Sequence, residues 1–108
     1  MKQEDNAILL KVYIGESDEY DGKKLYKYII ERAKELKIAG CTIFRGVSGY
    51  GNNSVIHTTS ILRLSSDLPV LIEIIDLPNK IELFKSELDL VIKQGLIVEE
   101  NVKVFRYQ

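Results

Sequence analysis

The first apolar pattern along the chain has a period of two. From Ala7 to Gly15 (AILLKVYIG), Ile8, Leu10, Val12 and Ile14 alternate with Leu9, Lys11 and Tyr13, which predicts a strand. A polar connection, GESDEYDG, covers 15–22. Within it Asp21 is placed to cap the next element, its carboxylate accepting from an orphan backbone N–H. From Lys23 to Ile38 the period lengthens. Leu25, Ile29, Ala33 and Leu36 fall on one face with Tyr26 and Ile30 beside them, while Lys27, Glu31, Lys34 and Glu35 lie outside. That is an amphipathic helix, with Gly40 suited to its C-terminal exit.

Cys41–Val47 (CTIFRGV) reads as a second strand. The segment FRGVSGYGNNSVIHT at 44–58 then interrupts the order with three glycines, two asparagines and the chain's one histidine, and its polar continuation runs to about Ser60. Ile61–Leu64 reads as a short extension and SSDL at 65–68 as a turn. PVLIEIID at 69–76 is the clearest strand, apolar on both sides apart from Glu73. Pro78 suits the first turn of a second helix, in which Ile81, Phe84, Leu88, Val91 and Ile92 recur at helical spacing until Gly95. LIVEENVKVFRY at 96–107 predicts one bent strand, or two with a break near Asn101.

Strand–helix–strand occurs twice. The pattern is an α+β, ferredoxin-like split βαβ sandwich over 1–108, read as one domain with an arm at about 47–60. Right-handed crossovers put both helices on one face of an antiparallel sheet. The other face then needs water or another chain, and strands apolar on both sides favour self-association into a homo-oligomer.

Charge narrows the function. Fifteen basic and sixteen acidic side chains give net −1, not the basic footprint of a nucleic-acid binder. No run approaches the ~18 apolar residues that span a bilayer, and MKQEDNAILLKVYIG does not read as a signal peptide. With a single cysteine, Cys41, the reading is cytoplasmic.

Three sets of residues are candidates for chemistry. Gly46-x-x-Gly49-x-Gly51 frees backbone N–H groups to approach an anion, but matches neither the Walker pattern nor the dinucleotide fingerprint; a bulged strand end with a flexible arm is the plainer reading. Lys11, Arg45 and Glu73 are charges inside apolar strands. A hairpin with equal arms about residue 59 sets Arg45 opposite Glu73, and Lys11 reaches Glu73 from strand one. The plainer reading is a structural ion pair at a subunit interface; the sharper one leaves one of the two cations for a phosphate. Arg106 is a second phosphate candidate through its bidentate guanidinium, or an ordinary surface charge. His57 and Cys41 lack partners at metal-ligand spacing, so no metal site or required cofactor is expected. His57, among Ser54, Thr58 and Ser60, reads as a hydrogen-bonding loop histidine. The acidic run Glu16, Asp18, Glu19, Asp21 and the pair Glu99–Glu100 read as solvated edges.

R-G-x-x-G-x-G at 45–51, I-H-T at 56–58 and R-L-S-x-D-L-P-V at 63–70, together with GESD and both helices, carry a resemblance across about Ala7–Tyr107. The chain resembles the PII-like family termed domain of unknown function 190, of UPF0166 type. The resemblance implies a trimer similar in shape to the PII nitrogen-signalling and divalent-cation tolerance proteins. It further implies a signalling arm between strands two and three, and an adenine nucleotide held in clefts between subunits. Arg45, Gly46, Gly49 and Gly51 would stand at the base of that arm, with His57 in it or just after it. It also suggests a membrane transporter, a fluoride exporter, as partner. The short IKQGL connection at 92–96 and the lack of a tyrosine placed for uridylylation turn the expectation to AMP or a similar ligand. Two other readings compete: a small phosphoester- or nucleotide-acting enzyme using His57, and a structural or metal-tolerance trimer without a specific ligand.

Overall fold

A computed structural model describes residues 1–50 and 67–108, with the main chain of 57–58. Strand β1 runs Lys2–Gly15. A small hairpin follows, β2 (Glu19–Tyr20) and β3 (Lys23–Lys24), and leads into α1 (Leu25–Glu35). Then come β4 (Gly40–Arg45), the short pair β5 (Ser48–Gly49) and β6 (His57–Thr58), β7 (Pro69–Asp76), α2 (Pro78–Val91) and β8 (Leu96–Tyr107). The principal sheet is antiparallel in the order β4-β7-β1-β8. That is the ferredoxin-like arrangement: each βαβ unit contributes one central and one edge strand. Among the described residues, no helix is long and apolar enough to cross a membrane.

The core lies between the helices and one sheet face. Leu10 and Val12 of β1, Ile72 and Ile74 of β7, Ile29 of α1, and Ile81 and Phe84 of α2 are fully buried there. Each such side chain contributes about 1.5–3 kcal/mol of burial. A fork of Arg32 on Glu87, at 2.6 and 3.0 Å, ties α1 to α2 at the rim.

Several boundaries differ from expectation, each for a physical reason. β1 begins at Lys2 because Lys2–Asn6 pair with Lys103–Tyr107 in a two-stranded ribbon. The partner strand, not local alternation, makes this polar stretch extended; Lys103 meets Glu4 at 3.5 Å and Lys2 sits over the Phe105 ring. Asp21 does not cap α1. Asp21 and Gly22 both take positive φ in the β2–β3 turn, the conformation that Asp-Gly favours, and the capping residue is Lys24 without a side-chain bond. α1 closes three residues before Ile38. Lys37 takes the left-handed position, with Lys37 N–H donating to Lys34 O and Ile38 N–H to Ala33 O. This is the paired-bond C-cap usually built on glycine. The Lys80 ammonium covers the freed Leu36 and Lys37 carbonyls, and Gly40 opens β4 instead. β8 is continuous through Asn101. The extension read at 61–64, residues 65–66 of the SSDL turn, and Gly51 lie outside the described residues.

Among the described residues, no helix lies on the second sheet face. Leu9, Lys11 and Tyr13, then Leu71, Glu73 and Ile75, then Thr42 and Phe44, and Leu96, Val98 and Glu100 share it by cross-strand register. Leu71 and Ile75 are half-buried, whereas Tyr13, Leu96 and Val98 are exposed and Phe44 is 48% exposed.

Candidate functional site

The two ends of the segment between β4 and β7 meet at one corner of the sheet. Arg45 lies opposite Val70, and Gly46 N–H donates to Pro69 O at 2.7 Å. A Cβ at Gly46 would stand 2.8 Å from Pro69 Cγ and 3.2 Å from its carbonyl oxygen, so the close approach excludes a side chain. Beyond, Gly49 pairs with His57 and Ser48 with Thr58 through the main chain.

The turn 15–18 buttresses this corner. Asp18 Oδ2 accepts from Gly15 N–H at 3.0 Å, and Glu16 N–H donates to Leu68 O at 2.8 Å. Ser17 N–H donates to Asp67 Oδ1 at 3.1 Å. Glu16 is ion-paired with Arg45. The glutamate side chain is 17% exposed and the arginine 61%, so the anion is fixed and the cation faces solvent. Beside this turn is a surface groove of about 130 Å³, lined by Asp18, Glu19, Leu25, Val91, Lys93 and Gln94. It is well below the ~300–1,000 Å³ of small-molecule sites.

The expected pairing of Arg45 with Glu73 is not formed. Glu73 faces Thr42 on β4, and Arg45 faces Val70, an offset of three residues. Register follows the core: Cys41 pairs with Ile74 and Ile43 with Ile72, inward-facing on both strands. An odd-numbered slip would turn one strand's apolar set to the wrong face. Arg45 is therefore on the helix side of the sheet and Glu73 on the bare side. Lys11 does lie opposite Glu73, but its ammonium reaches Glu100 at 3.0 Å. Hydrogen bonding to that carboxylate holds the Lys11 pKa above the usual lysine value. Glu99, the neighbour, bonds Lys85 of α2 at 2.6 Å, so neither acid is a bare solvated edge.

Arg106 is at the other end of the sheet. Its guanidinium lies 3.7 Å from Asp76 Oδ1, and Asp76 is 4% exposed while accepting from Ala39 N–H at 2.9 Å and Leu77 N–H at 2.7 Å. Val70 and Asp76 are six residues apart on β7, roughly 20 Å at strand rise. One chain thus brings Arg45 and Gly46 together and leaves Arg106 remote. Cys41 packs against the core, and burial pushes its thiol up to about 11, which keeps it protonated at neutral pH.

Sequence reasoning missed Glu16, Asp18 and Asp67. The spacing of Gly15 and Asp18 holds a local turn signal, but Asp67 is fifty residues from the N–H it accepts, a contact without local trace.

The comparisons agree with this architecture. A protein of UPF0166 type from Aquifex aeolicus (strain VF5) is 42% identical over 96 residues, 89% of this chain and 90% of that one. UPF0166 protein MJ1524 of Methanocaldococcus jannaschii is 38% identical over 101 residues, 93% of each. Among solved structures, CPII, a nitrogen regulatory PII-like protein from Thiomonas intermedia K12 bound to ADP, AMP and bicarbonate, superposes with a TM-score of 0.68. The match covers 94% of this chain and 98% of that one at 10% identity, a likeness of fold. The family model DUF190, described as "Uncharacterized ACR, COG1993", matches residues 7–104. A PII-like, ferredoxin-like α+β chain, this protein belongs to the DUF190 family.

Proposed function

We propose that this protein is a PII-like regulator, a homotrimer whose copies close around their bare sheet faces and hold an adenine nucleotide, AMP or similar, in the clefts between them. The observation that carries the assembly is the uncovered face, where Tyr13, Phe44, Leu96 and Val98 stand exposed on the side opposite both helices. Apolar area of this kind is typical of surfaces covered by a partner. The nucleotide class is suggested by the ligands named for the CPII structure. Arg45 and Gly46 form the phosphate contact at the corner of the sheet, with Gly49, Gly51 and His57 following in the arm. Arg106 of one copy joins such a site only if another copy supplies the corner, because within one chain it is a sheet length away.

Binding biases the arm at 47–60 toward one arrangement through contacts made in that state alone, and a partner such as a membrane transporter reads the difference. The proposed role is binding, not turnover, and it operates in the cytoplasm.

Two measurements test this. Light scattering at micromolar concentration is expected to give three times the 12.3 kDa chain mass; a lone 12.3 kDa species removes the trimer. Isothermal titration with AMP, ADP, ATP and cyclic di-AMP is expected to give heat with at least one; silence with all at millimolar ligand removes the nucleotide. Phosphoester turnover that vanishes in His57→Ala would favour the enzyme reading instead.

A further inference from the structure

We propose that Glu16 is a built-in counter-anion that sets how tightly Arg45 takes a phosphate-bearing ligand. This role rests on Arg45 being the phosphate contact proposed above. Carboxylate and phosphate oxygens compete for the same guanidinium N–H groups, since both accept from its planar fork. In the chain alone the competition is already decided, because Glu16 holds Arg45.

Geometry assigns which partner yields. Glu16 is 17% exposed and its turn is fixed on both sides, by Glu16 N–H on Leu68 O, Ser17 N–H on Asp67 Oδ1 and Gly15 N–H on Asp18 Oδ2. Arg45, 61% exposed at the end of β4, is the member free to turn toward solvent. An arriving phosphate therefore draws the arginine away and leaves the glutamate in place. A further carboxylate, Asp18, stands on the same buttress and adds negative potential at the corner. Against that potential Glu16 imposes a threshold: an anion must match Arg45 better than a carboxylate already in contact.

Affinity is consequently tunable without touching the ligand. Glu16→Gln keeps the backbone bond to Leu68 and the side-chain size, but removes the competing charge. Titration of AMP is expected to tighten about two- to fivefold in this variant, the range for release of a cation from a partly exposed ion pair. Glu16→Asp, which keeps the charge on a shorter reach, is expected to fall between. Adenosine, which lacks the phosphate, is expected to bind Glu16→Gln and wild type alike. In Arg45→Met and in the Arg45→Met, Glu16→Gln pair, AMP binding is expected to weaken to one common level, with thermal unfolding confirming each variant is folded.

The outcomes separate cleanly. AMP binding by wild type without a gain in Glu16→Gln overturns the counter-anion role and leaves the nucleotide reading standing. A gain that persists without Arg45, or that adenosine shares, overturns it also. Absence of binding by wild type and by every variant removes the nucleotide reading and this role together. Binding by Glu16→Gln alone supports the role and shows that the threshold is high in the native chain.

Discussion

β7 has two sides, and they obey different rules. Val70, Ile72 and Ile74 point into the core and are buried by elements of the same chain. Leu71, Glu73 and Ile75 alternate with them on the bare face and stay half-buried. Among the described residues, the inward set packs in one copy against side chains of α1, α2, β1 and β4. The outward set combines apolar groups with Lys11, Glu73 and Glu100, a composition suited to a surface that is covered in part and read in part. A strand apolar on both sides thus has one side satisfied within the chain and another that the proposed trimer would cover.

The largest effect on that contrast comes from the covered side. Phe84→Ala is expected to cost about 3–5 kcal/mol in urea unfolding, because the cavity lies among rigid strands and helices. A loss below 1 kcal/mol would mean the core is looser than its burial indicates. Next is Asp76→Ala, which strands the Ala39 and Leu77 N–H groups and the Arg106 guanidinium. About 2–3 kcal/mol is expected from leaving such groups without an acceptor, read in the same assay.

On the bare side the expectation reverses. Ile75→Lys should alter the unfolding free energy of the isolated chain by under about 1 kcal/mol, yet dissociate the proposed trimer in light scattering. Intact assembly in that variant would mean the face is simply wet. The smallest effect is at the rim. The bond from Arg32 holds the Glu87 carboxyl below the usual carboxylate range. A depressed folded pKa stabilises above the unfolded value and loses that contribution as pH falls through the folded one. Thermal midpoints of wild type and Glu87→Gln should therefore differ most near pH 7, begin to approach near pH 4, where an ordinary glutamate protonates, and converge only below the lowered folded value.

Much of the fold was legible. PVLIEIID appears as β7 with the bounds its composition implies, and Pro78 starts α2 where a residue without an N–H is tolerated. Local rules failed where a distant residue took over. Asp21, a good cap by type, is drawn into a hairpin turn by Gly22, and Lys37 takes a position glycine usually holds because Lys80 covers the carbonyls beside it. The candidate corner was half legible: Arg45 and Gly46 stand together as their adjacency requires, but the Glu16 contact spans twenty-nine positions and the Ser17–Asp67 contact fifty.

By itself the sequence determined the kinds of element and their order, because alternation and helical spacing are properties of neighbours along the chain. With that order came the sheet, since short right-handed connections leave few ways to place four strands. Only the tertiary structure decided the register of β4 on β7, and with it which face each charge occupies. The reason is that pairing is chosen by the fit of two apolar sets far apart in the chain, and a slip of an odd number of residues exchanges inside for outside. Arg45 beside Glu16, and not beside Glu73, is the consequence.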